Sequence, residues 1–477
     1  MTVPFLTLAL ALLAICVSQL KPESWKFLVK SALVLLVFEG AIRKWLLPGL
    51  SDLVFFGKDF LLLIGYLIFF FGTSKKHSKM ATWGRKTYNL TFVLVLLNFL
   101  WGAVQAFNPS LGSILVGLLG LKIYFFYMPL ALLLADLFDS ELELKSFLIV
   151  YLSLAIPVGL LGALQFISPP TSPLNIYVPG ADNGLATFRD LQISRVSGTF
   201  SYLGSYGYYL ITCFALLLSF FGTKLSLRQS SLLLTSSIFV FANGLMTGSR
   251  STVGSLLLIS FFFFSFLLLT YRKQFFKVFF NLFLVFLLSG ISISLLFSGS
   301  LDAFLYRASN TSDVSSRAEA LLEEPLKFSQ LNGLLDGYGI GATYQASNRL
   351  RQVLRLPQGR HIPVYYEPEL GRIMLELGFL GFVMWYGLRS VILVNLFLLQ
   401  LRIKSPFLKN LAFVAFMLHA SQLVFGFLVF NYVSGIYYWL TTGFLLLLPK
   451  LDTFPGRVSS SGTLHNRFLL SNDGQQQ

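Results

Sequence analysis

Long apolar segments separated by short polar connections run through almost the whole chain. A helix that crosses a bilayer needs about 20 mostly apolar residues, and the pattern predicts about 13 such segments. Their centres lie near residues 12, 36, 63, 98, 123, 156, 210, 238, 260, 286, 384, 418 and 440. The pattern therefore predicts an all-α protein, a polytopic bundle of transmembrane helices.

The first apolar run extends from about Val3 to Leu20. It has neither a basic segment before it nor a cleavage site of small residues after it, and both are typical of a secretory signal peptide. We therefore interpret this run as the first membrane helix.

Lys and Arg collect in alternate connections between the predicted helices. One set of connections holds about 16 of them, whereas the short connections of the opposite set contribute only Arg250. Basic connections normally remain on the cytoplasmic side. The first set is therefore predicted to be cytoplasmic, which places the N-terminus outside and the polar tail after Lys450 inside.

The same pattern divides the chain into four parts. Residues 1–297 hold the first ten predicted helices, 298–369 form a large external loop, 370–450 hold three more helices, and 451–477 form the tail. A second, shorter external connection covers about 168–197. In the large loop, Ser312 or Asp313 is a candidate N-cap for an amphipathic helix near the membrane surface. The three glycines of "GYGIG" after it predict a tight turn or a close backbone approach.

Composition agrees with a membrane protein. Apolar residues make up 55% of the 477 residues, charged residues only 12%, and Phe occurs 50 times. The net charge of +15 reflects the basic cytoplasmic connections, and no basic run with interleaved aromatic residues suggests nucleic-acid binding. Cys16 and Cys213 both lie in apolar runs, so neither a disulfide framework nor a cysteine metal site is expected.

Several ionisable residues lie inside predicted membrane segments, where charges are costly and usually face a cavity or a partner. Glu39 and Arg43 are four residues apart, so they can share a helix face and pair. Lys58 and Asp59 follow in the next segment. These four residues either line a cavity that opens outward or form structural ion pairs. Lys122 has no carboxylate close in sequence, which favours an anion-binding role.

Two arginines lie at predicted external helix ends. Arg195 stands in "ISRVSGTFSY", and Arg250 stands in the tight hairpin "LMTGSRSTVG". The planar guanidinium group binds phosphate through two donors and stays charged when it is partly desolvated. Both residues are candidates for phosphate binding, with anchoring to lipid headgroups as the alternative.

Charged residues also gather in "HIPVYYEPELGRIMLELGFLGF", where the large loop returns to the membrane. His361 and Glu367 precede the predicted helix, and Glu369 lies in its first turn. Arg372 is four residues before Glu376, and this spacing predicts an ion pair between them. The segment thus combines acid–base groups with a cation at the edge of the bilayer.

Four motifs, in this order and on one predicted side, resemble the O-antigen ligase and polymerase superfamily. They are "RVSGTFSY", "TGSRSTVGSLL", "GYGIGAT" and "EPELGRIMLELGFLGF", which span roughly residues 195–388. The resemblance implies a helical bundle of the GT-C type with a large periplasmic loop in a bacterial inner membrane. It also implies glycan transfer from an undecaprenyl-pyrophosphate-linked donor, with inversion and without a metal or other cofactor.

The chain departs from the family pattern at one position. The family usually has a His-Asn pair shortly before the glutamate of its "ElGxxG" motif, which is Glu376 here, but this chain has Glu367 about nine residues before it. The base that takes the acceptor proton is therefore either Glu367 or His361, and Glu369 orients it or contacts the sugar. Arg195, Arg250 and Arg372 are the expected pyrophosphate ligands, with Lys122 deeper in the bundle.

Within the family, the sequence favours a polymerase that joins repeat units, and a ligase that transfers a finished glycan to a lipid core is the alternative. A flippase or secondary transporter would also use intramembrane charges and many helices. The expected partners are the lipid-linked donor, an acceptor glycan and membrane lipids, and a chain-length regulator is a further candidate.

Overall fold

The computed structural model describes residues 21–72, 85–178, 187–188, 193–270, 312–329 and 337–453, together with isolated positions between 276 and 291. Helix accounts for 77% of the structure and there is almost no strand, which confirms the all-α prediction. The predicted helix near residue 12, most of the one near 286, and the tail after residue 453 lie outside the described residues.

The described helices of the first half lie between residues 24 and 167. They are α1 (Ser24–Ala41), α2 (Ser51–Leu67), α3 (Arg85–Ala106), α4 (Ile114–Phe125), α5 (Leu130–Leu137), α6 (Glu141–Ser153) and α7 (Ala155–Ile167). A π-helical turn, Ile42–Leu46, extends α1, and another, Ile68–Gly72, extends α2.

The second half begins with two short strands, β1 (Thr187–Phe188) and β2 (Ile193–Ser194), which pair antiparallel. Its helices are α8 (Leu203–Leu218), α9 (Leu227–Met246), α10 (Arg250–Thr270), α11 (Ser312–Ser329), α12 (Gln345–Leu354), α13 (Glu369–Arg402), α14 (Pro406–Phe425), α15 (Tyr432–Thr442) and α16 (Phe444–Thr453). The predicted amphipathic helix in the large loop is confirmed as α11.

Polar residues at the predicted connections start several helices. Ser226 accepts a hydrogen bond from the Gln229 backbone while the Gln229 side chain accepts one from the Ser226 backbone, and this capping box begins α9. Ser140 caps α6 through the Glu143 backbone N–H. Such caps satisfy N–H groups that have no partner within the helix.

Six apolar stretches of helix in the described chain are long enough to cross a bilayer. They are Pro48–Gly72, Ile114–Leu137, Glu141–Ile167, Leu227–Met246, Arg250–Thr270 and Glu369–Arg402, and two shorter apolar helices are Leu90–Ala106 and Leu203–Leu218. These lengths are compatible with a multi-pass membrane protein. The expected total of about 13 membrane helices is not established by them.

Large apolar side chains point both into the bundle and away from it. Only 39–44% of each candidate span is buried against the rest of the protein, and side chains such as Phe92, Val150 and Phe261 are exposed. Helices that are apolar on all sides are typical of a lipid environment. The outward phenylalanines are therefore suited to contact lipid.

Connections predicted to share a side also contact one another. On the side predicted to be cytoplasmic, Lys26 pairs with Asp139 at 2.7 Å, and Ser405 donates to Glu141 at 2.8 Å. On the opposite side, Arg349 of the large loop pairs with Asp52 at 2.8 Å. The bundle thus has two polar ends, each built from the connections that the sequence grouped together.

Candidate functional site

A break in α13 shapes the region where the large loop joins the bundle. Gly378 has φ 68° and ψ −178°, a conformation that only glycine adopts readily. Donors from outside the helix satisfy the carbonyl groups of residues 375–377. These donors are the Tyr338 and Gly339 backbone N–H groups, at 2.7 and 3.1 Å, and the Trp101 indole, at 2.9 Å.

The break folds the start of α13 back against the rest of it. Glu369 and Arg389, 20 residues apart, form an ion pair at 3.0 Å, whereas a straight helix would separate them by about 30 Å. The expectation that Glu369 and Glu376 begin one continuous membrane helix is therefore corrected: residues 369–377 form a separate helical segment that turns at Gly378.

Glu376, the glutamate of the family-like motif, holds the glycine-rich loop in place. Its Oε1 accepts hydrogen bonds from the Thr343 backbone N–H and hydroxyl at 2.8 and 2.7 Å. Its Oε2 accepts from the Gly341 N–H and the Tyr124 hydroxyl, both at 2.9 Å. The fully buried Glu376 carboxylate thus accepts four hydrogen bonds. Two of them come from backbone N–H groups of the glycine-rich loop.

The glycine-rich loop enters the bundle, which confirms the predicted close backbone approach. Gly341 has φ 87°, and a Cβ on it would lie 2.9 Å from the Cα of Gly120 in α4. Any side chain at this position would therefore clash with the α4 backbone. The glycine-rich loop thus reaches the level of α4 at which Lys122 stands, two residues beyond Gly120.

Arg372 also binds Thr343. Its Nε donates to the Thr343 hydroxyl at 3.2 Å and its Nη2 donates to the Thr343 carbonyl at 2.7 Å. The predicted direct ion pair with Glu376 is not formed, because Thr343 lies between the two side chains. The guanidinium carbon stacks 3.5 Å from the centre of the Phe430 ring. The third nitrogen, Nη1, donates no hydrogen bond within the described part of the chain.

Glu369 is turned to the interior rather than toward an external cleft. Its Oε1 binds Arg389, and its Oε2 accepts from the Val429 backbone N–H at 2.9 Å. Side-chain exposure of both members of the ion pair is 1%. Sequence reasoning missed Arg389, although a cation inside an apolar helix could have been noted as a residue that needs a partner.

The four charged residues of α1 and α2 belong to one buried network. Glu39 pairs with Arg43 at 3.2 Å, as the spacing predicted, and with Lys58 at 2.9 Å. Arg43 also donates to Ser51 and to Ser201, both at 3.0 Å. Side chains from both helices and from the segment before α8 therefore meet here.

Lys122 finds a carboxylate that its sequence neighbours do not supply. It pairs with Asp59 at 2.8 Å, and the Tyr127 hydroxyl donates to the other Asp59 oxygen, also at 2.8 Å. The Lys122 side chain retains 20% exposure. Any anion that binds Lys122 must therefore share the ammonium group with Asp59.

This ion network carries an excess of positive charge. Arg43, Lys58 and Lys122 outnumber Glu39 and Asp59 by one charge. Buried charges of one sign attract counter-ions.

Counted from the first residues of their helices, Lys58 and Lys122 lie about 10 and 12 Å along the helix axis. Within the candidate membrane spans, Lys58 is close to the middle of Pro48–Gly72, and Lys122 is about one helical turn from the middle of Ile114–Leu137.

Lys44 adds a buried amine beside the network. Its Nζ donates to the Ser197 hydroxyl at 2.8 Å and to the Gly198 carbonyl at 3.2 Å, and the residue is 3% exposed. Within the described chain these are neutral partners, so no carboxylate balances this amine. Sequence reasoning noted Lys44 in the helix but assigned it no role.

Tyr344 connects the ion network to the start of α13. Burial raises the pKa of its hydroxyl to about 12, with Asp59 and Glu39 raising this pKa further and Arg372 and Arg43 lowering it. Charges from the ion network and from the start of α13 therefore both act on this one hydroxyl. The glycine-rich loop therefore brings Arg372 and the network to one place.

Arg195 and Arg250 lie at the corner made by β2, α9 and α10. The Arg195 Nε donates to the Thr247 carbonyl at 2.8 Å, and Arg250 begins α10 three residues later. Both side chains are partly exposed. The structure thus brings these two predicted phosphate ligands to one turn, and Arg195 is two residues from the Ser197 that binds Lys44.

The two base candidates occupy different surroundings. His361 is exposed and makes no hydrogen bond within the described residues. Glu367 is half-buried, and its backbone N–H donates to the carboxylate of Glu324 in α11. The backbone of Glu367 is therefore bound by an acidic side chain, whereas His361 lies on the surface.

Glu324, in α11 of the large loop, is a buried acid that sequence reasoning missed. Burial raises the pKa of its carboxyl to about 7; the Glu367 backbone hydrogen bond lowers this pKa in part, and the Glu367 carboxylate raises it. The sequence of an amphipathic loop helix does not indicate which of its glutamates becomes buried against another helix. Within the described residues, no group of three His, Cys, Asp or Glu side chains is arranged to hold a metal ion.

Comparison with known proteins adds no assignment. No protein-family model and no curated protein sequence matches this chain.

Proposed function

We propose that the protein is a membrane glycosyltransferase of surface-polysaccharide biosynthesis, in the manner of O-antigen or exopolysaccharide polymerases. It transfers a glycan from an undecaprenyl-pyrophosphate donor to a sugar hydroxyl at the external face of a bacterial inner membrane. In this proposal the bundle is of the GT-C type, with the N-terminus outside and the C-terminus in the cytoplasm.

One observation carries the proposal: the glycine-rich loop of the large connection, which is predicted to be external, enters the bundle beside a buried, positively charged network. A lipid-linked pyrophosphate has its tail in the bilayer and its anionic headgroup at the bilayer edge. Cations held between the helices and the loop suit such a headgroup, because charge–charge hydrogen bonds strengthen where water is limited. The Nη1 of Arg372, which donates no hydrogen bond within the described chain, supplies one donor, and Lys122 supplies a cation within the network.

The proposed chemistry needs three elements. A base takes the proton of the acceptor hydroxyl, cations offset the charge on the departing pyrophosphate, and a closed site limits hydrolysis by water. Glu367 or His361 is the proposed base. Arg195, Arg250 and Arg372 are the proposed phosphate ligands, with Lys122 deeper in the bundle.

A transporter fits the ion network less well. Transporters place their binding sites near the bilayer midplane, usually between repeated halves. The sequence shows no evident internal repeat, and in the described chain the network adjoins the glycine-rich loop of the large connection. A polymerase is preferred to a ligase because Glu367 replaces the histidine expected in the family pattern.

The test is glycan analysis by gel in a bacterial strain that lacks this gene. The strain is complemented with wild type, with Arg372→Ala, and with Arg349→Ala as the matched control, at equal membrane levels. Arg349 is an exposed arginine of the same loop, and its one ion pair within the described residues is with Asp52 on the surface. We expect wild type and Arg349→Ala to restore long chains, and Arg372→Ala to fail.

The intermediate that accumulates distinguishes the candidate functions. Single lipid-linked repeats in the deletion strain support a polymerase. Long lipid-linked chains would indicate a ligase instead. A glycan profile that does not change on deletion would contradict glycosyl transfer and favour transport.

A further inference from the structure

Glu324 of α11 lies against the start of α13 and is buried there. The residue is only 9% exposed. Its carboxylate accepts a hydrogen bond from the Glu367 backbone N–H, while its other oxygen, Oε2, is buried without a hydrogen-bond partner in the described structure. A buried carboxylate oxygen without a donor is costly, so this atom is suited to receive a hydrogen bond from a ligand.

The facing residue on α13 leaves room for this carboxylate. A Cβ at Gly371 would lie 2.5 Å from Glu324 Oε2 and 2.8 Å from the Phe328 ring. Any larger residue at position 371 would displace the glutamate side chain. This close approach explains the glycine of "EPELGR". Because it has no side chain, an acid of α11 can approach the turn that carries Glu367 and Arg372.

Aromatic side chains directly before Glu367 in the chain suit a sugar. Tyr366 is half-buried against the small apolar cluster that includes Phe328 and Tyr338, and its ring centre lies 6.0 Å from the Arg372 guanidinium carbon. Tyr365 next to it is 81% exposed. Tyrosine rings offer an apolar face to a sugar ring and a polar edge to its hydroxyls.

We propose that Glu324 and Glu367 act as one carboxyl pair in which Glu324 takes the proton of the acceptor sugar hydroxyl. This inference rests on the proposed glycosyl transfer, and it assigns the base to Glu324 in place of Glu367 or His361. As the hydroxyl O–H bond breaks, its proton passes to Glu324 and its oxygen bonds to the anomeric carbon of the donor. The bond from that carbon to the pyrophosphate oxygen breaks, and its electron pair leaves with the pyrophosphate.

Within the described residues, the other charged groups near Glu324 have partners of their own. On its own helix, Glu323 and Lys327 pair with each other on the exposed side. On α13, Glu369 binds Arg389, and Arg372 and Glu376 bind Thr343. Glu367 is thus the group whose charge acts on Glu324. A base works best when its pKa lies close to the working pH, and the pKa of Glu324, about 7, meets this condition.

The test follows chain growth in spheroplasts of the deletion strain, with the cell's own lipid-linked glycan as substrate. The variants are Glu324→Gln, which keeps the shape and removes the base, and Glu324→Asp, which keeps a carboxyl group. Glu323→Gln is the matched control, since it makes the same chemical change at the neighbouring exposed position. Membrane levels and melting temperatures are measured for each variant.

We expect Glu324→Gln to slow chain growth by about 10²–10⁴-fold, and Glu323→Gln to leave the rate within about twofold of wild type. The wild-type rate should rise about tenfold between about pH 6 and about pH 8 as the carboxyl loses its proton. Glu324→Asp should retain a pH-dependent rate. If Glu324→Gln reaches the membrane poorly, the pH dependence of Glu324→Asp and of wild type tests the proposal instead.

Two negative outcomes are distinguishable. If wild type restores long chains and Glu324→Gln restores them at the same rate, the assignment of Glu324 is wrong while the proposed function stands. If wild type itself leaves the glycan profile of the deletion strain unchanged, the proposed function is wrong, and the role of Glu324 in it falls as well.

Discussion

Glu369 and Arg389 form a buried ion pair at 3.0 Å although they stand 20 residues apart in one helical segment. The turn at Gly378 brings them together, and the carbonyls exposed by the turn are satisfied by Tyr338, Gly339 and Trp101. Broken helices are tolerated at membrane depth where other protein groups satisfy the backbone, and they often line cavities. The break therefore places Arg372 beside the loop instead of against lipid.

Gly378→Ala should destabilise the protein by about 1–3 kcal/mol, because alanine adopts this backbone conformation only under strain. Gly387→Ala is the matched control in the same helix: a Cβ there meets no atom within 4 Å, and the change should be neutral or slightly stabilising. Melting temperatures in detergent compare the two. Equal melting temperatures would contradict the structural role of the turn.

Glu376→Ala should destabilise the protein by at least about 2 kcal/mol, since four buried hydrogen-bond donors lose their acceptor. The exposed Glu323→Ala should change the melting temperature little. Because Glu376 holds Gly341 and Thr343, proteolysis in the glycine-rich loop should also become faster in Glu376→Ala. A variant as stable and as resistant to protease as wild type would show that the loop does not depend on this carboxylate.

Lys122→Met should lower stability by about 3–5 kcal/mol, because it leaves the buried Asp59 carboxylate without its cation. The double variant Lys122→Met with Asp59→Asn should recover most of that loss, since no unpaired charge remains. If Lys122 binds the donor, the double variant stays inactive in glycan assays although its stability is restored. Recovery of both stability and activity would limit Lys122 to a structural role.

The stability of the wild type should fall as pH rises from about 4.5 to about 7 relative to Glu324→Gln. Because the folded-state pKa of Glu324 is raised from 4.5 to about 7, the folded protein holds this proton more tightly than the unfolded chain does. The stabilisation that this proton gives is complete below the unfolded-state pKa of Glu324. It is lost as pH rises through the folded-state pKa. Melting temperatures at several pH values should converge for the two proteins toward acid; parallel curves would contradict the raised pKa.

Topology can be checked with single cysteines in a Cys16→Ser, Cys213→Ala background. A cysteine at position 349, in the exposed part of the large loop, should react with an impermeant maleimide in intact cells. A cysteine at position 404, between α13 and α14, should react only after the membrane is opened. The reverse pattern would invert the predicted orientation and remove the proposed site from the external face.

The sequence by itself determined the class of the protein and its short-range contacts. Apolar segments of membrane length predict helices because a bilayer leaves the backbone few alternatives, and the spacing of Glu39 and Arg43 predicts their pair because residues four apart share a helix face. The amphipathic pattern of α11 and the glycine-rich loop were also readable, since both depend on local conformation.

Only the tertiary structure decided which distant groups meet. Lys122 pairs with Asp59 on another helix, Thr343 separates Arg372 from Glu376, and Glu324 reaches Glu367 only because residue 371 lacks a side chain. Such contacts depend on how helices pack and where a helix breaks. Periodicity along the chain records which face of a helix is apolar, but it does not record the partner that this face will meet.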